Sequence, residues 1–205
     1  MAGSPAAQEV ALDPLARPWY RAGEARDEAS LIRQARNGSA DAIEALVRRH
    51  WDSAHRAAFL IVHDAGAAED IAQEAMLAAV RSIDAFDRRR PFRPWLHRIV
   101  VNRSLDWLRA RARRPELSVE VAGRAEGALA GPDALPDALS DELMRALAAL
   151  EPNERALIVM RHLLGYRSSE LGRMLGMPAG TVRTRLARAL ARVRELLEAE
   201  ARDEA

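Results

Sequence analysis

Apolar residues recur every three or four positions along two stretches of the chain, which is the spacing of amphipathic helices, and no segment alternates as a β-strand does. The first stretch, residues 28–114, contains predicted helices that begin near Glu28, Ser39, Ala67 and Pro94. A serine N-cap at Ser39 and a first-turn proline at Pro94 support two of these starts. This stretch therefore predicts a helical bundle.

The second stretch, residues 143–205, contains four predicted helices, at 143–150, 153–164, 168–175 and 179–198. Prolines mark two of the starts, Ser168 is expected to cap a third, and Gly165 and Gly176 are expected to end two helices. The predicted fold is all-α, with two small helical domains.

Between the two stretches lies "PELSVEVAGRAEGALAGPDALPDALSDE", residues 115–142, with three prolines and three glycines. This composition predicts a flexible linker that spans at most ~95 Å. Residues 1–27 contain three prolines and no apolar period, so they are expected to form a mobile N-terminal extension. The predicted domains are therefore residues 28–114 and 143–205.

Charge divides along the same boundaries, although the whole chain carries a net charge of only +1. Residues 28–85 hold six arginines against nine acids, residues 86–114 ten against two, residues 115–142 one against seven, and residues 143–198 ten against five. Two basic blocks separated by an acidic linker favour an anionic partner. All 31 basic residues are arginine, which a GC-rich genome explains equally well, so composition alone says little about nucleic acid.

Residues 168–190 have the layout of a helix-turn-helix: a short helix, a turn at Gly176-Met177-Pro178 and a longer helix. With Val182 inward, helical phase leaves an outer face made of Arg183, Thr184, Ala187 and Arg188. The longer helix carries five arginines from Arg183 to Arg194 and has its first carboxylate at Glu195. Small residues between arginines suit base edges and phosphates, so DNA binding is favoured over a merely solvated face.

The other basic block, residues 86–114, holds four of the nine aromatic residues. Arginines beside aromatic rings suit single-stranded nucleic acid, because bases stack on the rings while guanidinium groups contact phosphates. Phe86 and Phe92 flank an arginine-rich loop and are expected to be hard to bury, whereas Trp107 shares the phase of the apolar stripe. Asn102 lies within a helix, a poor place for asparagine unless its amide has a partner.

Three segments in order, "AEDIAQEAMLAAV", "FRPWLHRIVVNRSLDWLR" and "ALAALEPNERALIVMRHLLGYRSSELGRMLGMPAGTVRTRLARAL", resemble bacterial RNA polymerase sigma factors of the extracytoplasmic-function (ECF) group of the sigma-70 family. The similarity covers residues 28–198 with matching gaps. The resemblance implies that residues 28–114 are sigma region 2 and residues 143–205 are region 4. It also implies two partners, core RNA polymerase and promoter DNA in duplex and melted form.

The resemblance implies roles for individual residues of region 2. The third helix would dock on the coiled coil of the polymerase clamp through Asp70, Gln73, Glu74 and Leu77. The promoter −10 element, as an opened strand with an unstacked base, would meet Phe86, Arg88, Arg89, Arg90, Arg93, Asn102 and Arg103.

In region 4, the resemblance implies that the −35 element contacts Arg183, Thr184, Ala187 and Arg188, and that another surface meets the polymerase flap. The acidic linker would thread toward the polymerase RNA path, and an anti-sigma factor is an expected partner. Gly172 stands where the family usually has alanine, so local softening is expected there. Ala187 and the three arginines at 88–90 leave the −35 and −10 base preferences open.

Other chemistry is not favoured. The five histidines lack metal-site spacing, the absence of cysteine removes thiolate chemistry, and no nucleophile elbow or P-loop is present, so no enzyme, metal or cofactor is expected. No apolar run reaches the ~18 residues needed to span a bilayer and no export signal appears, so a cytoplasmic protein without membrane insertion is expected.

Two other functions compete with the sigma factor. A stand-alone helix-turn-helix regulator with an N-terminal dimerisation or ligand domain fits residues 168–190 equally well, but it does not explain the aromatic and arginine-rich loop. A helical adaptor that sequesters another transcription protein needs neither basic face.

Overall fold

The computed structural model describes residues 22–113 and 140–203, and these residues form eight α-helices with no β-strand among them. The predicted linker (residues 115–142) and N-terminal extension (residues 1–27) fall largely outside the described residues. By their internal contacts, the residues divide after position 46 into two compact units. The all-α fold is confirmed.

Four helices occupy residues 22–113: α1 (Ala22–Arg36), α2 (Ala40–Val62), α3 (Ala65–Arg81) and α4 (Phe92–Ala112). Ser39 Oγ accepts from the backbone N–H of Ala42, as the predicted cap requires. The α3 helix begins two residues earlier than predicted because Asp64 caps it, accepting from Ala67 N at 2.9 Å. Arg111 of α4 pairs with the same carboxylate, which ties the end of α4 to the start of α3.

Four helices occupy residues 140–203: α5 (Asp141–Ala148), α6 (Pro152–Ile158), α7 (Ser168–Leu175) and α8 (Ala179–Asp203). The predicted helix over 153–164 is interrupted, because Val159–Leu163 form a π-helical turn after α6. The prediction that Ser168 is a helix cap is wrong. Ser168 is the first residue of α7, and the Glu170 carboxylate accepts from the backbone N–H of Arg167 one position before it.

Two buried groups of side chains fill the unit that comprises residues 47–205. One lies where α3 packs on α4 and includes Ile71, Met76, Leu96 and Val100. The other lies among α5–α8 and includes Leu147, Leu171 and Val182. Helix α4 also packs against α6 and α7, so α4 belongs to both groups.

Candidate nucleic-acid interfaces

The turn between α7 and α8 is held by a very close backbone contact. Gly176 has a φ of 67°, a left-handed conformation that favours glycine, and Met177 N donates to Gly172 O at 2.9 Å. A Cβ atom on Gly172 would lie 2.6 Å from the carbonyl oxygen of Met177. Gly172 therefore permits the tight turn, and it is more than the softer replacement for alanine that the sequence suggested.

Helix α8 presents the outer face that its sequence predicts. Val182, Leu186, Ala189 and Val193 are all buried, so the predicted phase is confirmed, and Leu197 at the end of the stripe is half-buried. The four outer residues are all exposed: Arg183, Thr184, Ala187 and Arg188. The Thr184 hydroxyl donates to Gly180 O at 3.2 Å.

The loop that precedes α4 rests on an aromatic cluster formed by Phe86, Phe92 and Trp95. The ring centroids in this cluster lie 5.0–5.4 Å apart. Phe86 and Phe92 are 4% and 3% exposed, so the expectation that they are hard to bury is wrong. They flank the loop in sequence but turn inward and hold its two ends together, so Phe86 offers no open face to a base in this conformation.

The arginines of this loop lie on its outside. Arg88, Arg89 and Arg90 are exposed, and Arg93 at the start of α4 is half-buried. The carboxylate of Asp87 organises the loop, since it accepts from Arg89 N at 3.0 Å and pairs with Arg90 at 3.5 Å. The aromatic cluster thus lies beneath three exposed arginines, here called the cationic arch: Arg88, Arg89 and Arg90.

Helix α4 carries Asn102 and Arg103 on its surface. Asn102 is exposed and lines a cleft with Arg98 and Arg109 of the same helix. Arg103 reaches to α3 and forms an ion pair with Glu74. Two predicted interfaces, for the −10 strand and for the polymerase clamp, are therefore joined by one ion pair.

The predicted clamp-binding surface is a single exposed stripe of α3. Asp70, Gln73 and Glu74 are exposed, and Leu77 next to them is 49% exposed. Leu77 stands out among the described residues as a large hydrophobic side chain left in solvent. An apolar residue beside carboxylates suits a protein partner with a basic and partly apolar surface.

Sequence reasoning missed a buried polar cluster on the inner side of α4, here called the His97 cluster: Ser53, His97 and Tyr166. The two ring nitrogens of His97 lie 2.7 Å from Ser53 Oγ and 2.7 Å from the Tyr166 hydroxyl. Burial, together with the charges of Arg93 and His50, lowers the pKa of His97 to about 3. Ser53 and Tyr166 are 113 positions apart, so no local pattern could have indicated this cluster.

Trp107 is half-buried, and the guanidinium of Arg111 lies 5.1 Å from the centre of its ring. Trp107 therefore lies at the edge of the core and not within it. Within residues 22–113 and 140–203, no group of three or more potential ligand side chains could hold a metal ion. No helix in the same part of the chain has the length and apolar character needed to cross a bilayer.

Comparison with known proteins places the chain in a family. The Sigma-70 region 2 profile matches residues 46–114, and the Sigma-70 region 4 profile matches residues 140–193. The ECF RNA polymerase sigma factor SigM of Mycobacterium tuberculosis is 37% identical over 179 residues, which are 84% of this chain and 85% of SigM. SigW of Bacillus subtilis is 33% identical, over 84% of this chain and 95% of SigW.

Solved structures agree in fold. The structure of CnrH in complex with the cytosolic domain of CnrY has a TM-score of 0.62 and 30% identity, and the match covers 84% of this chain and 97% of CnrH. The sigma factor RpoE of Bartonella quintana, in complex with the anti-sigma factor NepR, has a TM-score of 0.61 at 22% identity over 76% of this chain and 96% of RpoE. The chain belongs to the extracytoplasmic-function group of the sigma-70 family, and it is an RNA polymerase sigma factor.

Proposed function

We propose that this sigma factor reads a −35 element with α8 and a −10 element with α4 and the loop before it, and so directs core polymerase to its promoters. The observation that carries the proposal is the exposed face of α8, where Arg183 and Arg188 flank the small Ala187 behind a tight helix-turn-helix. Such a face admits the helix to the major groove and places guanidinium groups at base edges and phosphates.

The −10 role falls to the cationic arch and to Asn102. Arg88, Arg89 and Arg90 are exposed and would follow the phosphates of an opened strand, while Asn102 would select a base. Phe86 would support the arch from below because it is buried. Arg93 and Arg103 would add charge at the edge of the same surface.

The contact with the polymerase clamp falls to the exposed stripe of α3, where Leu77 lies among carboxylates. Residues 28–114 would form region 2, residues 115–142 the linker and residues 143–205 region 4. An anti-sigma factor is the expected inhibitor. The protein would act in the cytoplasm and supply positioning and base choice, while the polymerase performs the chemistry.

The deciding experiment is run-off transcription from fragmented genomic DNA with the sigma factor, core polymerase, or both. Specific transcripts from the mixture alone are expected, and their start sites define both promoter elements. Sequence-specific binding by the protein alone, without transcripts, would instead support the stand-alone regulator, which family membership does not favour.

The −10 assignment is tested by Asn102→Ala on the promoters so identified. We expect slower promoter opening or weaker −10 discrimination with unchanged affinity for core polymerase, because the amide reads a base and does not touch the clamp. Asp106→Ala, one turn away and also exposed on α4, is the matched control. Normal opening and normal −10 preference in the Asn102 variant would remove this residue from the site.

A further inference from the structure

A cleft lies between α4 and the helix-turn-helix. Helix α4 packs against α6 and α7, and the cleft beside these contacts has a volume of about 280 Å³. This volume is just below the ~300–1,000 Å³ of pockets that hold drug-sized ligands. The cleft therefore has room for one small molecule.

One wall of the cleft is a single stripe of α4. Its residues recur at intervals of three or four positions and so share one face of the helix: Arg98, Asn102, Leu105 and Arg109. The two arginines and the asparagine are exposed, whereas Leu105 is buried. This wall thus combines solvent-exposed polar and cationic groups with a buried apolar side chain.

The rest of the lining, from α6, α7 and α8, has the same two components. Arg185 of α8 and Asn153 of α6 are exposed, and Leu157 and Met174 contribute buried apolar side chains. Ligand sites commonly join apolar surface to a few polar groups that fix orientation. A matching ligand has an apolar or aromatic part for the buried side chains and a charged part for the arginines.

The charge of the cleft has one sign. Three arginines line it, and none of the described lining residues carries a carboxylate. Arg109 pairs with Asp106 at 2.7 Å, but neither Arg98 nor Arg185 forms an ion pair with another described residue. Guanidinium groups brought together without an acid repel each other, and a cleft lined by one sign of charge concentrates the opposite ions. The ligand is therefore an anion.

The chemistry of the lining narrows the class of anion. Two unmatched guanidinium groups balance one phosphate monoester, which carries about −1.5 to −2 charges at pH 7, and guanidinium forks match phosphate oxygens. The amides of Asn102 and Asn153 offer both donors and acceptors, which suit the edge of a nucleobase. Leu105 and Leu157 suit the face of its ring.

We propose that this cleft binds a free nucleoside monophosphate, with the phosphate held between Arg98 and Arg185 and the base against the buried leucines. The site goes beyond the proposed promoter roles, because these two arginines belong to neither the −10 nor the −35 surface. The end of a nucleic-acid strand carries the same chemical unit. The volume of the cleft favours the free nucleotide, since it admits one unit and not its neighbours.

Isothermal titration calorimetry of the full chain tests the site with the monophosphates of adenosine, guanosine, cytidine and uridine. We expect at least one of them to bind one molecule per chain, ~10-fold or more tightly than inorganic phosphate, because only the nucleotide also uses the apolar lining. The corresponding nucleoside without phosphate should bind ~10-fold or more weakly than its monophosphate. Four monophosphates that bind no better than inorganic phosphate would overturn the proposal.

Two substitutions locate the bound ligand. Arg98→Met and Arg185→Met change exposed side chains, and each should weaken binding ~10-fold or more, because each removes a charged hydrogen-bond donor from the phosphate. Arg173→Met, at an exposed arginine of α7 outside the cleft lining, is the matched control and should keep the affinity of the parent. Unchanged affinity in either cleft variant, or an equal loss in all three, would contradict the assignment.

A trinucleotide of the same base with a 5′ phosphate separates a free nucleotide from a strand end. Its affinity should not exceed that of the monophosphate, because the cleft has no room for a second unit. Tighter binding of the trinucleotide, with the gain lost in Arg98→Met, would assign the cleft to a nucleic-acid strand and overturn the proposal. Calorimetry uses no promoter, so a negative result would leave the proposed −10 and −35 roles untouched.

Discussion

Gly172 and Gly180 lie eight positions apart in the helix-turn-helix and have opposite surroundings. A Cβ atom on Gly172 would meet the Met177 carbonyl oxygen at 2.6 Å, whereas one on Gly180 would have the flexible end of Arg183 at 3.8 Å as its nearest neighbour. The carbonyl belongs to a turn that the left-handed Gly176 fixes, so it cannot easily move away. Residue 172 therefore determines how closely α7 and the turn at Gly176-Met177 can pack against each other.

We expect Gly172→Ala to lower the free energy of unfolding by about 1–3 kcal/mol, as overpacking does in tight sites. Gly180→Ala should leave stability unchanged or raise it by up to about 1 kcal/mol, because alanine is the better helix former. Urea denaturation of both variants makes the comparison. A Gly172 variant as stable as the parent would show that the turn can relax.

At single positions, sequence patterns predicted what depends on local phase and missed what depends on distant partners. The buried Val182 stripe and the exposed Arg188 follow from helical period alone. The burial of Phe86 does not, because it depends on the rings that the loop brings beside it. The burial of His97 does not follow from it either, because its partner Tyr166 lies 69 positions away.

Among the elements, α8 most clearly combines a folding role with the proposed recognition role. Its inner residues hold the helix to α5, α6 and α7, and its outer residues are exposed. Arg192 pairs with Glu195 beyond the recognition face, while Arg183 and Arg188 form no ion pair with a described residue. The arginines of one helix thus divide between the group proposed to face DNA and a solvated end.

Arg188→Ala should weaken use of the −35 element by about 1–3 kcal/mol if the guanidinium reads a base edge. Arg194→Ala, exposed further along α8, is the matched control and should change little. Transcription from −35 variants gives the measurement. A loss that is equal on all sequences, with a smaller salt dependence, would reassign Arg188 to a phosphate.

Element boundaries show the same limit of sequence reasoning. The order and number of helices in the described residues were predicted, because amphipathic period and caps are local signals. The π-helical turn at Val159–Leu163 was not predicted, because it leads to Tyr166, whose partner His97 lies in another part of the chain. The start of α4 at Phe92 instead of Pro94 follows from the aromatic cluster beneath it.

For residues 47–205 as a whole, folding stability should respond to pH. His97 is neutral in the fold with a pKa of about 3, against 6.5 in its ordinary state. Arg93 and His50 are the charged or titratable groups that disfavour its protonation, and Ser53 and Tyr166 occupy its nitrogens. A histidine whose pKa is lowered in the folded state stabilises that state fully above pH ~6.5, and this stability is lost as the pH falls toward the folded pKa.

Between pH ~8 and pH ~5 we expect His97 alone to lower the free energy of unfolding by up to about 2 kcal/mol. Urea denaturation of the parent and of His97→Gln at both pH values isolates this contribution, because burial also lowers the pKa of His63 and of His162. His55→Gln is the control and should keep the response of the parent. An equal pH response in the parent and in His97→Gln would show that His97 does not contribute.

The close contact at Gly172 also has a consequence for how such a protein can diverge. A Cβ atom at position 172 would meet the Met177 carbonyl oxygen, whereas Ala187 is exposed on the outer face of α8. Substitutions that alter promoter preference would therefore accumulate on the outer face of α8 and not at the turn.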